Sequence, residues 1–594
     1  MNPVEEYGGR LAQRRAVSER EQTLFRRIGN ARLATGIAGV ILAFFVFGET
    51  VVSAWWLAIP LVVFSILVVV HARVVERLER ATRAVRFYER GLERLENRWM
   101  GKGEAGDRFR NPAHVYEEDL DIFGKGSLFE VLSTARTRAG EDTLAGWLLA
   151  PASRDEAAAR QVAIQELRSR LDLREELAVI GDAVRSTMDP DAVAAWGEAT
   201  PVVFPRGARF IAMLLAAAVV VTFGLYMARL STRTPFMAAL LLELAYGFLL
   251  GTRTLKVSAA VNSPARDLAL FAKLLARLEA EPFEAPLLGR MRARLADSGL
   301  VASVEIGRLR RLVSLLDWQR NILFAPIAMA TLWSAQLAMA IEGWRKRSGR
   351  HVREWIAGVG EFEALFALAG YSYENPLDPF PELRQESGGW FEAAGLGHPL
   401  MREAHCVRND VRLGDELRLL IVSGSNMSGK STLLRAVGLN VVLAWAGAPV
   451  RATRLAISPL IVGASIRILD SLQDGRSRFY SEITRLREIM DRAGGDRAVL
   501  FLMDELLSGT NSHDRKIGAA AVVRKLVERG AIGIITTHDL ALAHIAAELP
   551  GRAANVHFAD TLENGQLHFD YRLLPGVVER SNALDLMRSV GLEV

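Results

Sequence analysis

A single cysteine, Cys406, stands among 594 residues. That scarcity excludes an internal disulfide and any cysteine-based metal cluster, and leaves Cys406 a packing role. Internal repeats and low-complexity tracts are also missing. Charge of one sign is nearly balanced, since 73 Lys and Arg face 68 Asp and Glu for a net charge of +5. Much of that small excess flanks apolar stretches, where anionic lipid explains it as well as nucleic acid does. A cleaved signal peptide is not indicated: the leading segment is long, no small-residue cleavage site stands out, and a second apolar stretch follows the first at once. The length suits two or three domains.

What is present begins with those apolar stretches. Leu33 to Gly48 and Val51 to Val70 are separated only by Glu49-Thr50, and Phe210 to Ala228 and Pro235 to Gly251 by a loop with Arg229 and Arg233. Crossing ~30 Å of hydrocarbon takes about 20 apolar residues, so these read as two membrane hairpins. Arginines from Arg10 to Arg32 and from Arg73 to Arg90 bracket the first pair. Positive residues stay cytoplasmic, so both hairpins enter and leave from that side of an inner or plasma membrane. A fifth apolar segment, Ile322 to Ile341, contains Pro326, Ser334 and Gln336. It is expected to be a buried or membrane-lying helix, because a fifth span would export the C-terminal half. Glu243, inside the fourth span, is either a functional carboxyl or a protonated or hydrogen-bonded bundle residue. The Arg/Glu run from Arg73 to Arg98 reads as a solvated helix face with i,i+4 pairs.

The strongest chemical signal lies further on. Gly424-Ser425-Asn426-Met427-Ser428-Gly429-Lys430-Ser431-Thr432 fits the phosphate-loop pattern G-x-x-x-x-G-K-[ST] without mismatch. An apolar strand (Leu417 to Val422) precedes it and a helical pattern follows. Backbone N–H groups and a helix N-terminus would face the phosphates of ATP, Lys430 would reach the β- and γ-phosphates, and the Ser431 hydroxyl would sit on Mg²⁺. A second buried strand, Ala498 to Met503, ends in Asp504-Glu505. Asp504 there would hold Mg²⁺ through water, and Glu505 would polarise the attacking water. A third strand, Ala531 to Ile535, leads to His538, placed to bond the γ-phosphate or the attacking water.

These residues resemble the MutS mismatch-repair ATPases, of the ABC ATPase class. The loop is close to that family's G-P-N-M-x-G-K-S-T, with Ser425 in place of Pro. Gly397-His398-Pro399-Leu400 and Val407-Arg408-Asn409-Asp410 look like its elements leading into the loop. Asp470 to Glu482 is similar to its D-x-L-x-x-G-x-S-T-F-x-x-E signature, with Arg478 for Thr. Glu505 to Asn511 follows its E-x-x-x-G-T loop, with Ser508 for Arg, and Tyr571 to Gly576 with Ser581 resembles its closing segment. The resemblance implies that Ser477 completes the ATP site of a partner in a head-to-tail homodimer. Phe123 to Phe129 and the positions from Thr137 to Gln161 look like the family's helical core. The likeness covers roughly 115–200 and 350–594. Elsewhere the chain departs from it. The mismatch-reading domain and DNA clamp are replaced by the membrane segments, Phe87-Tyr88-Glu89 matches the wedge letters only by coincidence, and the chain stops at Val594, where MutS continues.

The expected fold class is an α/β P-loop (ABC-type) ATPase domain at the C-terminus, preceded by an all-α MutS-like core domain and two transmembrane helical hairpins. The expected divisions are a basic segment (1–32), the first hairpin (33–70), a charged helix and linker (71–112), helical core (113–208), the second hairpin (209–252), a second part of the core (253–385) and the ATPase (386–594). Three functions remain open. One is a membrane-anchored, multi-pass MutS-family ATP hydrolase acting on DNA, related to mismatch repair. Another is an ATP-driven remodelling enzyme with a membrane or protein client and no DNA. The last is an ABC transporter, which lacks support because the L-S-G-G-Q signature is absent.

Overall fold

The computed structural model describes residues 2–48, 53–182, 189–296, 299–385, 388–425, 427–467, 478–507, 510–538, 540–563 and 566–578. Asn2 caps the first helix by accepting the Val4 N–H at 3.1 Å, with Pro3 in the first turn. That helix, α1 (Pro3–Phe47), lies against α2 (Ala58–Leu95). Gly39 faces Pro60, Phe25 faces His71 and Tyr7 faces Gly91, so the two run antiparallel. Near the turn the surface is apolar and exposed, as at Val40, Phe44, Leu61 and Ile66. Toward the other end it becomes charged.

A helical body follows: α3 (Leu128–Leu132), α4 (Arg138–Leu149), α5 (Arg154–Arg168), α6 (Leu171–Gly181) and α7 (Pro190–Glu198). A second hairpin comes next, α8 (Ala208–Met227) and α9 (Arg233–Ala280), the latter 48 residues long. The body resumes with α10 (Pro286–Leu295), α11 (Ala302–Asp317), α12 (Ala325–Met329), α13 (Trp333–Ser348) and α14 (Val352–Glu374). Four described helices, α1, α2, α8 and the first part of α9, are long and apolar enough to cross a membrane by length and composition.

The C-terminal region holds two sheets. In the smaller, β1 (Glu382–Leu383), β2 (Phe391–Leu396), β3 (Asn409–Leu413) and β5 (Arg454–Ile457) stand in the order β1-β5-β2-β3. The larger has the order β10-β9-β4-β8-β7-β6, from β4 (Leu419–Ser423), β6 (Leu460–Ser465), β7 (Ala498–Met503), β8 (Ile532–Thr537), β9 (Ala553–Glu563) and β10 (Gln566–Pro575). Every pairing in it is parallel except β9 with β10. The apolar runs expected as strands are β4, β7 and β8, shifted by at most two residues. Around them pack α15 (Lys430–Ala446), α16 (Arg478–Arg492) and α17 (Ser512–Glu528).

The expected fold class needs correction. One hydrophobic core runs without a break from Val115 and Leu144 through Leu268, Trp344 and Leu365 to Leu434, Leu500 and Phe558. The helical residues and the sheet therefore share an interior. A self-standing all-α core domain and two hairpins preceding an ABC-type ATPase domain are not what the chain builds. The second hairpin is likewise inseparable from the body, because α9 continues from its apolar end to Phe271, Leu274 and Leu278 in that core. Within the expected linker Gly106 is buried and Phe109 packs with Phe123 and Phe129 at 5.4 and 5.5 Å, while most of its other residues are exposed.

Other expectations resolve locally. Phe87 and Tyr88 are buried with Tyr7, Leu11 and Leu171, so the triplet is packing. The charged face of α2 carries one i,i+4 pair, Arg83–Glu79 at 2.9 Å, but its arginines also reach other helices, as in Arg80–Glu176 and Arg86–Asp182. Segment 322–341 is not one helix: Leu332, at φ 47°, separates α12 from α13. Glu243 is 0% exposed, and among the described residues neither of its carboxylate oxygens has a hydrogen-bond partner.

The first hairpin is tied to the body by a buried ion pair. Arg94 Nε donates to Glu374 Oε2 at 2.7 Å, and the Tyr7 hydroxyl donates to Glu374 Oε1 at 3.2 Å. Removing one partner of a buried pair strands the other charge, at a cost of about 3–5 kcal/mol. Arg94→Met is therefore expected to lower the thermal midpoint of the detergent-solubilised protein markedly. Arg94→Met/Glu374→Met should recover most of that loss; equal loss in both variants would show that the pair is not what fixes the arm.

Candidate nucleotide-binding site

All five residues of β4 are buried, so the chain can turn toward solvent only beyond Ser423. Gly424 makes that turn at φ 154°, where a Cβ would lie 2.8 Å from Ser428 Oγ. Gly429, at φ 100°, starts α15 with the Tyr571 ring 3.2 Å from where its Cβ would be. Glycine is the residue that tolerates both the backbone and the approach. Between them, Lys430 folds back over its own loop: its Nζ donates to the carbonyls of Gly424 at 2.8 Å and Ser425 at 2.7 Å. Burial pulls the Lys430 amine below its ordinary pKa, while the charges of Asp504 and Glu505 oppose the shift. The hydroxyls of Ser425 and Ser428 are buried with no partner among the described residues. Asn426 lies outside the described residues.

Sheet register brings the other expected residues here. Ser423 pairs with Thr537 and Met503 with Ile535, which sets Asp504 beside Thr536. Ser431 Oγ donates to one oxygen of Asp504 and Thr536 Oγ1 to the other. The Glu505 N–H in turn donates to Thr536 Oγ1 at 3.2 Å. Glu505 itself has φ 49° and Leu507 φ 56°, a left-handed turn that non-glycine residues adopt at some cost. The turn is held in part by the Leu507 N–H donating to buried Glu482 of α16. His538, just past β8, places Nδ1 3.1 Å from Glu505 Oε1. Lys430, Ser431, Thr432, Met427, Asp504 and Glu505 all line one cleft of about 550 Å³, a size usual for small-molecule sites. His538 borders it through Glu505. Ser477, expected from a partner subunit, lies outside the described residues.

The far wall of the cleft was not foreseen as binding surface. It consists of Leu396, His398, Met401, Cys406, Val407 and Tyr571. Burial, with Arg435 nearby, holds the His398 imidazole down at about 4. It is therefore neutral near pH 7, and its Nδ1 accepts the Leu400 N–H at 3.2 Å. Cys406 Sγ accepts the His398 N–H at 3.3 Å, so the lone cysteine shapes this wall rather than an interior core. Asn409 fixes Tyr571: its Nδ2 donates to the Tyr571 carbonyl at 3.0 Å and its Oδ1 accepts the Leu573 N–H at 2.8 Å. Behind the wall, Asn440 joins Gly397 to Arg451, at 3.0 and 2.6 Å. The hints in the sequence were the motifs around His398 and Asn409 and the closing segment that begins at Tyr571.

The arrangement offers a basic amine, N–H groups at a helix start, and a carboxylate with a hydroxyl for a divalent cation. Among the described residues there is no cluster of three or more His, Cys, Asp or Glu side chains fit for a metal. A cation at Ser431 and Asp504 would thus complete its shell with phosphate oxygens and water, as Mg²⁺ commonly does.

Comparison with known proteins fits this geometry. Residues 420–593 match MutS domain V. The endonuclease MutS2 of Thermomicrobium roseum is 35% identical over 205 residues, covering 33% of this chain and 24% of that protein. MutS2 of Thermus thermophilus is 35% identical over 217 residues, 35% of this chain and 27% of its own. The DNA mismatch repair protein MutS of Natronomonas pharaonis is 34% identical over 254 residues, 41% of this chain and 28% of its own. The chain thus spans about a quarter of the length of these curated relatives. MutS domain V, preceded by a mostly helical part, replaces the expected ABC-type ATPase domain as the description of the C-terminal region.

Thr536 is the hidden support of this site. Thr536→Val would leave the Glu505 N–H without an acceptor and take one donor from Asp504. Leaving such groups unsatisfied costs about 1–3 kcal/mol. The ligand-free protein is expected to lose stability by that margin, seen as a lower thermal midpoint; an unchanged midpoint would mean that the hydroxyl is dispensable.

Proposed function

We propose that this chain is a MutS-family ATP hydrolase that works with Mg²⁺ as a head-to-tail homodimer, is anchored in the inner or plasma membrane, and acts on DNA. The observation that carries the reading is the convergence of Lys430, Ser431, Asp504, Glu505 and His538 on one cleft. The residues fit the nucleotide: the buried, unpartnered hydroxyls of Ser425 and Ser428 and the folded-back Lys430 amine are what a polyphosphate would engage. The wall from Leu396 to Tyr571 accommodates a planar base. When bound between Ser431 and Asp504, Mg²⁺ supplies charge neutralisation at the phosphates.

Each residue then has one task. The Gly424–Thr432 loop seats the phosphates, and Lys430 exchanges its two carbonyl partners for β- and γ-phosphate oxygens. Thr536 and Ser431 hold the Asp504 carboxylate, while His538 orients Glu505. Glu505 accepts a proton from water as that water attacks the γ-phosphorus; the bond to the bridging oxygen breaks, releasing ADP and phosphate. Ser477 of the second copy closes the site.

Support for DNA as client comes from the relatives, which carry the names endonuclease MutS2 and DNA mismatch repair protein MutS. Membrane anchorage is supported by the four apolar helices, with arginines at their body-side ends keeping the cleft cytoplasmic.

Glu505→Gln is expected to lower kcat at least about 100-fold, the usual loss for a general base, while nucleotide still binds and the dimer accumulates. Lys430→Ala should abolish the thermal shift that ATP with Mg²⁺ produces. Hydrolysis at the unmutated rate in Glu505→Gln would remove the base assignment. DNA is tested by titrating fluorescent duplexes, mismatched and perfect, onto the nanodisc-embedded protein with a non-hydrolysable ATP analogue over a salt series. Salt-sensitive binding supports a DNA client, preference for the mismatch ties it to repair, and no binding at low salt favours a membrane or protein client instead.

A further inference from the structure

The stretch between α11 and α13 is apolar outward. Ile322 and Leu323 are 85% and 83% exposed, and Ile327 and Met329 more than half. Such a run of large aliphatic residues is out of place in water. Yet its backbone is unusually self-sufficient for a connection. Asn321 caps the turn, its carbonyl accepting the N–H groups of Phe324 and Ala325 and its side chain that of Leu323. The Thr331 hydroxyl donates to the Ile327 carbonyl, and Gln336 Nε2 returns to the Thr331 carbonyl at 2.8 Å. Trp333 Nε1 donates to the Leu315 carbonyl at 2.7 Å. A loop facing water has no need to close its polar groups internally; one facing hydrocarbon does.

Its position points the same way. Leu332 and Ala335 form one cluster with Ala212 of α8 and Leu250 of α9, and the Leu332 side chain comes within 2.8 Å of where a Gly247 Cβ would stand. These are the ends of the second hairpin away from its turn at 228–232. The basic residues Arg206, Arg209, Arg253 and Lys256 begin just there. The exposed face therefore sits beside the last apolar turns of the hairpin, at the level of the headgroup boundary. Trp318, Phe324 and Trp333 stack edge-to-face along it at 5.8 and 5.3 Å, the aromatic belt expected at that depth.

We infer that residues 318–332 form an interfacial anchor, inserted from the cytoplasmic side among lipid headgroups and upper acyl chains without crossing. The inference rests on the membrane reading above. Ile322, Leu323, Ile327 and Met329 enter the acyl region, about 5–10 Å below the headgroups. Arg320 stays at the surface beside Asp317. The five-residue α12 is far too short to span and instead lies in the plane. The segment continues on both sides into α11 and α13, whose Leu309, Val313, Leu337 and Ile341 belong to the core shared with the sheet. The anchor thus fixes the body of the protein against the bilayer beside the second hairpin.

The test uses full-length protein with Cys406 replaced by alanine and one new cysteine per variant, labelled with an environment-sensitive fluorophore. The sites are Ile322→Cys, Val63→Cys in the first hairpin, and Arg487→Cys on the exposed face of α16. Each is placed in phosphatidylcholine–phosphatidylglycerol nanodiscs whose acyl chains carry bromine near the headgroup or near the chain end. Quenching at 322 by shallow bromine, to about half the unquenched intensity for a probe inserted to that depth, is expected. The probe at 63 should respond to deep bromine and the probe at 487 to neither. Quenching at 63 without quenching at 322 overturns the anchor and leaves the hairpins intact. No quenching at 63 overturns the membrane reading itself. Disulfide formation between two copies through position 322, with no lipid quenching, would assign the face to a second copy and overturn the inference.

Discussion

The parallel pairing of β4 with β8 and of β8 with β7 is the constraint on which the site depends. Strands buried on both faces leave nowhere for polar side chains except their carboxyl ends. Three pieces of chain, near 430, 504 and 536, meet there because the register puts Ser423 opposite Thr537 and Met503 opposite Ile535. The hydroxyls of Ser431 and Thr536 then grip opposite oxygens of Asp504, fixing the carboxylate near the Lys430 amine.

The chemistry of this edge was legible because it is carried by local signals. A glycine-rich turn between an apolar strand and a helix, and two carboxylates after an apolar run, keep their meaning in any context. Thr536 was not legible, since its importance lies in a neighbour 32 residues away that only the register supplies. The wall from Leu396 to Tyr571 was hidden for the same reason: it joins β2, the following loop and β10. The apolar stretches were read as helices, and three of them, α1, α2 and α9, run well beyond those stretches. Periodicity reports which face of a helix is apolar and is silent on what covers it. Here helices and sheet cover one another over a large shared core, with smaller clusters beside it.

The link between arm and site runs through the end of α14. Glu374 holds Arg94 and Tyr7 of the first hairpin, and four residues on, Asp378 holds Arg451 at 3.3 Å. Arg451 also reaches the Met401 carbonyl, in the wall of the cleft. Burial lifts the Asp378 carboxyl to about 6 despite that guanidinium. The short stretch 374–378 therefore stands between the first hairpin and the cleft. Its charges are paired on both sides, which favours a single arrangement over a loose hinge.

The length of α9 carries a mechanical consequence. At 48 residues and 1.5 Å per residue it is a rod of about 70 Å, one end among the apolar turns of the second hairpin and the other in the common core. Pro264 interrupts its hydrogen-bond ladder but not its continuity. A stiff rod of about 70 Å converts a tilt of about 5° at one end into a sweep of about 6 Å at the other. A displacement at the apolar end of α9 is thus carried directly into the protein's interior, with no ligand needed to carry the message.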